Sequence, residues 1–81
     1  MLKRLSDFTI GETGLIKMVK GEGRIRRRLF DMGVTPGAEV VLVKKAPLGD
    51  PLEVKIRGYD LTLRKDEAIF VELEVNSKES K

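Results

Sequence analysis

The sequence predicts a mainly β domain: a small five-stranded SH3-like barrel with one short α-helix, at about Arg24–Met32, and a short N-terminal helical turn. Apolar and polar residues alternate in short segments through the second half of the chain, which is typical of half-buried strands. Helical spacing of apolar residues occurs in one segment. A chain of 81 residues buries a single small core, and closure into a barrel would remove exposed strand edges.

The N-terminal region predicts a turn of helix, then a loop, then the first strand. Residues 5–13 combine scattered apolar residues with a glycine, a composition that favours a turn and a loop. The strand is expected from Gly14 to Lys20, where side chains should alternate between two faces. We expect Ile16 and Met18 on one face of this strand and Leu15 and Val19 on the other. We therefore expect both faces of this strand to be partly covered.

The predicted helix depends on three apolar residues. Ile25, Leu29 and Met32 lie at positions i, i+4 and i+7, the spacing of one helical stripe. Gly33 follows where a left-handed C-terminal cap belongs, and Pro36 with the next glycine forms a turn. Because so short a helix is unstable alone, its stripe should dock on the rest of the domain.

Four further strands are predicted after the helix, at residues 39–45, 52–57, 59–64 and 69–75. The clearest is the one in which Leu52, Val54 and Ile56 alternate with charged residues. A loop with two prolines and a glycine separates the second strand from the third. In the last strand Phe70 should point away from the core, and we expect the N-terminal segment around Phe8 and Ile10 to cover it.

Composition places the protein in a reducing compartment. The chain contains no cysteine, whereas a secreted domain of this size usually needs disulfides. Its first residues lack the apolar stretch of a signal peptide, and its longest aliphatic run is far too short to span a membrane. We therefore predict a soluble, cytoplasmic protein with one domain at residues 1–75 and a flexible polar tail at residues 76–81.

Residue types that commonly support catalysis are missing. The chain has no histidine and no cysteine, which removes the most common general base, the thiol nucleophile and the best ligands for zinc or iron. It also lacks a glycine-rich phosphate-binding motif. Asp50 and Glu53 are the candidate metal ligands, and carboxylates alone would bind a divalent cation weakly. The sequence predicts no enzyme and no intrinsic cofactor.

The predicted helix carries the only concentrated charge in a mildly basic chain, with a net charge of +3 and a pI near 9.4. Arg24, Arg26, Arg27 and Arg28 lie within five positions. On a helical wheel Arg26 and Phe30 share one flank and Arg27 points away from the apolar stripe. Three interpretations remain open here: a solvated outer face, a protein-binding surface, or a site for nucleic-acid phosphates.

Several motifs in order resemble the ferrous iron transport protein A (FeoA) family. The most diagnostic is the stretch Arg28–Gly37, with its Arg-Leu, Asp-Met-Gly and Pro-Gly elements. The opening Leu5-Ser6-Asp7, the loop Ala46–Pro51 and the closing Leu61–Arg64 with Glu67-Ala68 are similar to other parts of that family. The likeness covers about residues 2–75 and implies an SH3-like domain.

The resemblance implies an accessory protein of ferrous iron uptake that binds the cytoplasmic GTP-binding domain of the membrane iron permease, with transition-metal binding in some family members. The candidate partner-binding residues are Arg26, Phe30, Arg27, Pro47 and Leu48. A homodimer through an exposed strand edge is a further expectation.

The alternative is a small basic barrel that binds RNA or DNA phosphates through the Arg24–Arg28 helix. Few aromatic residues are available to stack bases, so nucleic acid is the less favoured partner.

Overall fold

The computed structural model describes residues 1–75. The predicted polar tail at residues 76–81 lies outside the described residues. Six strands are present, at β1 Leu2–Arg4, β2 Thr13–Val19, β3 Glu39–Lys45, β4 Leu52–Ile56, β5 Tyr59–Leu63 and β6 Val71–Glu74. The helical elements are a 3-10 turn at Leu5–Asp7, α1 at Gly23–Asp31 and α2 at Lys65–Ala68. The mainly β prediction, with a short helix and an N-terminal helical turn, is confirmed.

The strands form one antiparallel sheet in the order β1-β6-β2-β3-β4-β5. The count of six corrects the predicted five. The SH3-like barrel, which was predicted as closed or nearly closed, is not closed. Within residues 1–75, β1 and β5 are the two edges and do not pair with each other. The missed strand is β1, whose three residues pair with β6. Three residues are too few to show a period of two.

A β-bulge changes which side of β2 is buried. Its pairing with β6 shifts register between Ile16 and Met18, so the residue between them falls outside the regular alternation. As a result Ile16 and Val19 are buried together, while Leu15 and Met18 are about half exposed. The predicted grouping of Ile16 with Met18 is therefore wrong, because strict alternation does not pass through a bulge.

One hydrophobic core holds the sheet, the helices and the N-terminal turn together. Phe8 and Leu42 are fully buried in it, and none of the buried residues in the described part of the chain is polar or charged. The half-buried Phe30 of α1 and Met32, which follows the helix as its C-cap, pack against this core. No helix among residues 1–75 is long and apolar enough to cross a bilayer.

Helix α2 replaces the start of the last predicted strand. Its first turn is capped by acidic side chains, since Glu67 accepts a hydrogen bond from the Arg64 amide at 2.9 Å and Asp50 accepts one from the Lys65 amide at 3.0 Å. The strand therefore begins at Val71 rather than at residue 69. Four residues are too short for a helical pattern to be recognised in the sequence.

The ring of Phe70 is half-buried, and its cover by the segment around Phe8 and Ile10 stays a prediction. A Cβ placed on Gly21 would lie 3.3 Å from Phe70 Cγ, so the ring sits against the loop that enters α1. Phe8 belongs to the core, and Ile10 is 65% exposed. The Phe70 ring thus packs beside Gly21, in the loop that leads into α1.

An ion pair fixes the loop between the N-terminal turn and β2. Lys3 Nζ lies 2.9 Å from Glu12 Oε2, and the Thr9 amide donates to Glu12 Oε1 at 2.9 Å. Burial raises the pKa of Glu12, but the hydrogen bonds from Thr9 and Lys3 outweigh it, so the pKa lies below its usual value of 4.5. The ionised form of Glu12 is therefore favoured by folding.

Acid should remove this contribution to stability. Because the folded-state pKa of Glu12 is lowered, its contribution is present above about pH 4.5 and is lost as the pH falls through the lower folded value. We expect Glu12→Gln to flatten the fall in unfolding free energy between about pH 5 and pH 3, as followed by urea denaturation. Glu39→Gln is the matched control, since Glu39 is exposed and has no ion pair within residues 1–75. Equal pH profiles for the wild type and Glu12→Gln would contradict the assignment.

Candidate protein-binding site on the basic helix

Helix α1 is held on the domain by one fully buried side chain. Leu29 is 0% exposed, whereas Ile25 is 38% exposed and Met32 is half-buried. The buried surface of the helix is therefore narrower than the apolar stripe that the sequence spacing predicts. The helix runs over Gly23–Asp31, and Gly33 follows with a φ of +90°, which confirms the predicted C-terminal cap. Most of the helix surface faces outward.

The β4–β5 turn binds the C-terminal end of α1. Tyr59 Oη donates a hydrogen bond to the carbonyl oxygen of Met32. Arg57 donates to the carbonyl oxygen of Gly33 at 3.1 Å and to Thr35 Oγ1 at 2.6 Å. A cation and a hydroxyl thus satisfy carbonyls that no helical amide reaches. These contacts hold α1 in one orientation on the sheet.

Two arginines of α1 are engaged within the domain. The Arg26 guanidinium lies 4.6 Å from the centre of the Phe30 ring, and its Nε donates to the carbonyl oxygen of Val19 at 3.2 Å. Arg28 Nε lies 3.0 Å from Glu67 Oε2 on α2. The predicted grouping of Arg26 with Phe30 is present, although part of the hydrogen-bonding capacity of Arg26 is used on β2.

The other face of the helix forms a shallow groove, which we call the α1 groove. It is lined by Arg24, Arg27, Arg28, Asp31 and Met32. Arg24 and Arg27 are exposed, and neither has a carboxylate within 4.0 Å in the described part of the chain. An Arg27–Asp31 pair, which the i, i+4 spacing would allow, does not form. The groove therefore presents two guanidinium groups to solvent.

The Pro47–Leu48 loop is the second candidate surface. Leu48 is 90% exposed and Pro47 is exposed beside it. The loop is a tight turn in which the Gly49 amide donates to the Ala46 carbonyl at 2.7 Å. Among residues 1–75 no hydrogen bond or ion pair joins this loop to α1. The two candidate surfaces are thus structurally independent.

The candidate metal ligands do not form a cluster. Asp50 uses Oδ1 to cap α2, and Glu53 is half-buried on β4, opposite Thr62. No group of three or more carboxylate, histidine or cysteine side chains within residues 1–75 is arranged to hold a metal ion. Weak binding of a divalent cation at Asp50 and Glu53 stays a prediction.

Sequence reasoning missed part of this surface. It placed Arg24 in the basic segment but did not name it as a partner-binding candidate, and it treated Met32 as core. It also missed Arg57 and Tyr59, which orient the helix from a distant turn. A usable signal for Arg24 and Asp31 was present, since each has a charge that opposes the helix dipole at its end. No local pattern marks Arg57.

Comparison with known proteins establishes the family. The family described as the FeoA domain matches residues 3–75, almost the whole chain. The chain belongs to the FeoA domain family. A relative from Porphyromonas gingivalis (strain ATCC BAA-308 / W83), the Fe(2+) transport protein A/Fe(2+) transporter FeoB fusion protein, is 36% identical over 74 residues. The alignment covers 91% of this chain but only 9% of that relative.

Solved FeoA structures share the fold. An FeoA-like protein from Clostridium acetobutylicum has a TM-score of 0.85 and 36% identity, covering 91% of this chain and 86% of that one. FeoA from Stenotrophomonas maltophilia, complexed with zinc and described as a prokaryotic SH3 domain protein, has a TM-score of 0.76 and 30% identity, covering 94% and 92%. These matches show the SH3-like fold and place the chain in a family that is associated with ferrous iron transport.

Proposed function

We propose that this FeoA-domain protein is a cytoplasmic accessory protein of ferrous iron uptake, which acts by binding the cytoplasmic GTP-binding domain of the membrane iron permease. The observation that carries the proposal is the Porphyromonas gingivalis relative, in which a protein A region and an FeoB transporter region share one chain. Covalent linkage holds two modules at a high effective concentration, which is useful when they contact each other.

The exposed surface of this protein suits binding rather than catalysis. Four arginines are concentrated on α1, while the carboxylates of Asp50 and Glu53 do not belong to a cluster that could hold a metal ion. The interface would include the Arg26–Phe30 flank together with Arg27, and the Pro47–Leu48 loop offers a second contact. A homodimer through one of the strand edges β1 or β5 is proposed as well, and sedimentation of the protein alone would detect it.

Calorimetric titration against the isolated cytoplasmic domain of the host's iron permease tests the proposal. We expect saturable binding, and titrations with and without guanine nucleotide and Fe²⁺ would show which state of the permease is recognised. Heat from Fe²⁺ alone would indicate direct metal binding, which Asp50→Asn and Glu53→Gln should then abolish. Absence of binding in every nucleotide state would overturn the proposed function and leave the family assignment intact.

Reversing the charge at Arg26 should weaken this binding. We expect Arg26→Glu to raise the Kd by about tenfold, because a guanidinium at the edge of an interface would become a repulsive carboxylate. The free energy of unfolding should fall by no more than about 1–2 kcal/mol, since the variant loses one hydrogen bond and one cation–π contact. Thermal denaturation of the free protein checks this second expectation.

Leu48→Ser separates the two candidate surfaces. Leu48 is almost entirely exposed, so its replacement should leave the melting temperature unchanged. A rise in Kd for Leu48→Ser would assign the loop to the interface. An unchanged Kd for both Leu48→Ser and Arg26→Glu would exclude the loop and the Arg26–Phe30 flank together.

A further inference from the structure

The four arginines of α1 divide into two pairs with different roles. Arg26 and Arg28 are occupied, the first by Phe30 and the Val19 carbonyl and the second by Glu67. Arg24 and Arg27 lie one helical turn apart and reach solvent without a carboxylate within 4.0 Å anywhere in residues 1–75. The unpaired arginines, rather than Arg26, are the groups available to an external anion.

Two charges of α1 oppose the helix dipole, although Arg28 in the last turn favours it. The first turn has no acidic residue and contains Arg24, and the helix ends at Asp31. Each opposes the helix dipole, at a cost of roughly 0.3–1 kcal/mol when exposed. Glu22 at the N-cap position makes no side-chain capping hydrogen bond. Helix stability therefore does not account for the charges at Arg24 and Asp31, whereas recognition of a partner would.

The lining of the α1 groove identifies the chemistry of that partner. Guanidinium groups suit carboxylates, with which they form paired hydrogen bonds. Met32 adds a half-buried, adaptable apolar side chain to the same groove. Asp31 adds a carboxylate, so the groove is not uniformly positive. The groove contains no aromatic side chain on which a base could stack.

We propose that the α1 groove binds an acidic segment of a partner protein, with carboxylates of that segment at Arg24 and Arg27 and an apolar side chain on Met32. This inference rests on the proposed function for the identity of the partner, which would be the permease cytoplasmic domain. It moves the centre of the interface from the Arg26–Phe30 flank to the opposite side of α1. We therefore expect the permease domain to present negatively charged residues to the groove.

The first test compares two double variants that change the net charge equally. Arg24→Glu with Arg27→Glu alters the groove, while Arg4→Glu with Lys65→Glu alters exposed residues on β1 and α2. We expect the groove variant to raise the Kd for the permease domain by about a hundredfold and the control by less than about threefold. Equal effects of the two double variants would show that binding depends only on the net charge of the protein, and would overturn the groove assignment. Circular dichroism and thermal melting confirm that each variant is folded.

A second test does not depend on the permease. A synthetic peptide of glutamate and leucine residues is titrated into ¹⁵N-labelled protein, and amide shifts are followed by NMR. Shifts concentrated at residues 24–32 support the site, whereas shifts spread over all basic residues contradict it.

Poly(U) RNA is titrated in parallel over a salt series. Tighter binding of the RNA than of the peptide, lost in the groove variant, would assign the site to nucleic acid and overturn the proposal. If the peptide binds at the groove but the permease domain does not, only the proposed function fails.

Discussion

Replacing Leu29 by alanine should lower the free energy of unfolding by about 2–5 kcal/mol. Leu29 is the one residue of α1 that is completely buried, with 0% exposure. Its removal leaves a cavity between the helix and the sheet and takes away the main apolar contact of α1. Since an isolated helix of nine residues is not stable in water, α1 should loosen before the sheet unfolds. Urea denaturation followed by circular dichroism measures the change.

Met32→Ala is the matched comparison for Leu29→Ala. The sequence spacing assigns Leu29 and Met32 to the same buried stripe, but Met32 is only half-buried and lines the α1 groove. We expect Met32→Ala to cost clearly less, because burial of apolar surface scales with the area removed from water. Equal losses of stability in the two variants would contradict the observed position of the helix.

Gly33→Ala should destabilise the domain by about 1–3 kcal/mol through backbone strain alone. Gly33 has a φ of +90°, a conformation that residues with a Cβ rarely adopt. An added Cβ would also lie 2.8 Å from Tyr59 Oη, and the hydroxyl that binds the Met32 carbonyl would have to move. The variant therefore affects both the end of α1 and its attachment to the β4–β5 turn.

A double-mutant cycle with Tyr59→Phe separates these two effects. Tyr59→Phe alone loses one hydrogen bond, which we expect to cost about 0.5–1.5 kcal/mol. In the Tyr59→Phe background the steric part of the Gly33→Ala penalty disappears and the backbone part remains, so the two changes should cost less together than their sum. Strict additivity, measured by thermal or urea unfolding, would show that the Tyr59 hydroxyl does not contact residue 33.

Elements with a clear local pattern were predictable from the sequence. The strand at Leu52–Ile56 was found because alternate side chains face one core, and Gly33 was recognised as a helix end because a left-handed cap needs glycine. The order of the family motifs was specific enough to identify the fold. Strand β1 and helix α2 were missed because segments of three and four residues have no recognisable period.

The candidate site was predictable only as a region. The concentration of arginines marked α1, and the wheel placed Arg26 beside Phe30, as the structure confirms. Whether an arginine is occupied, however, depends on groups that are distant along the chain. Glu67 lies on α2 and the Val19 carbonyl on β2, and no spacing within α1 encodes their proximity.

The sequence by itself determined the class of fold, the family, the position of α1 and its C-terminal cap, because these depend on short-range patterning and backbone preference. Tertiary structure decided which residues of β2 and α1 depart from the burial that their spacing predicts, and which arginines are engaged. The bulge in β2 turned Met18 outward, and the β4–β5 turn fixed the orientation of α1. Contacts from β2 and α2 engage Arg26 and Arg28, whereas Arg24 and Arg27 have no carboxylate partner within residues 1–75. Such features depend on the packing of segments that are far apart in the chain, and packing is a property of the assembled core.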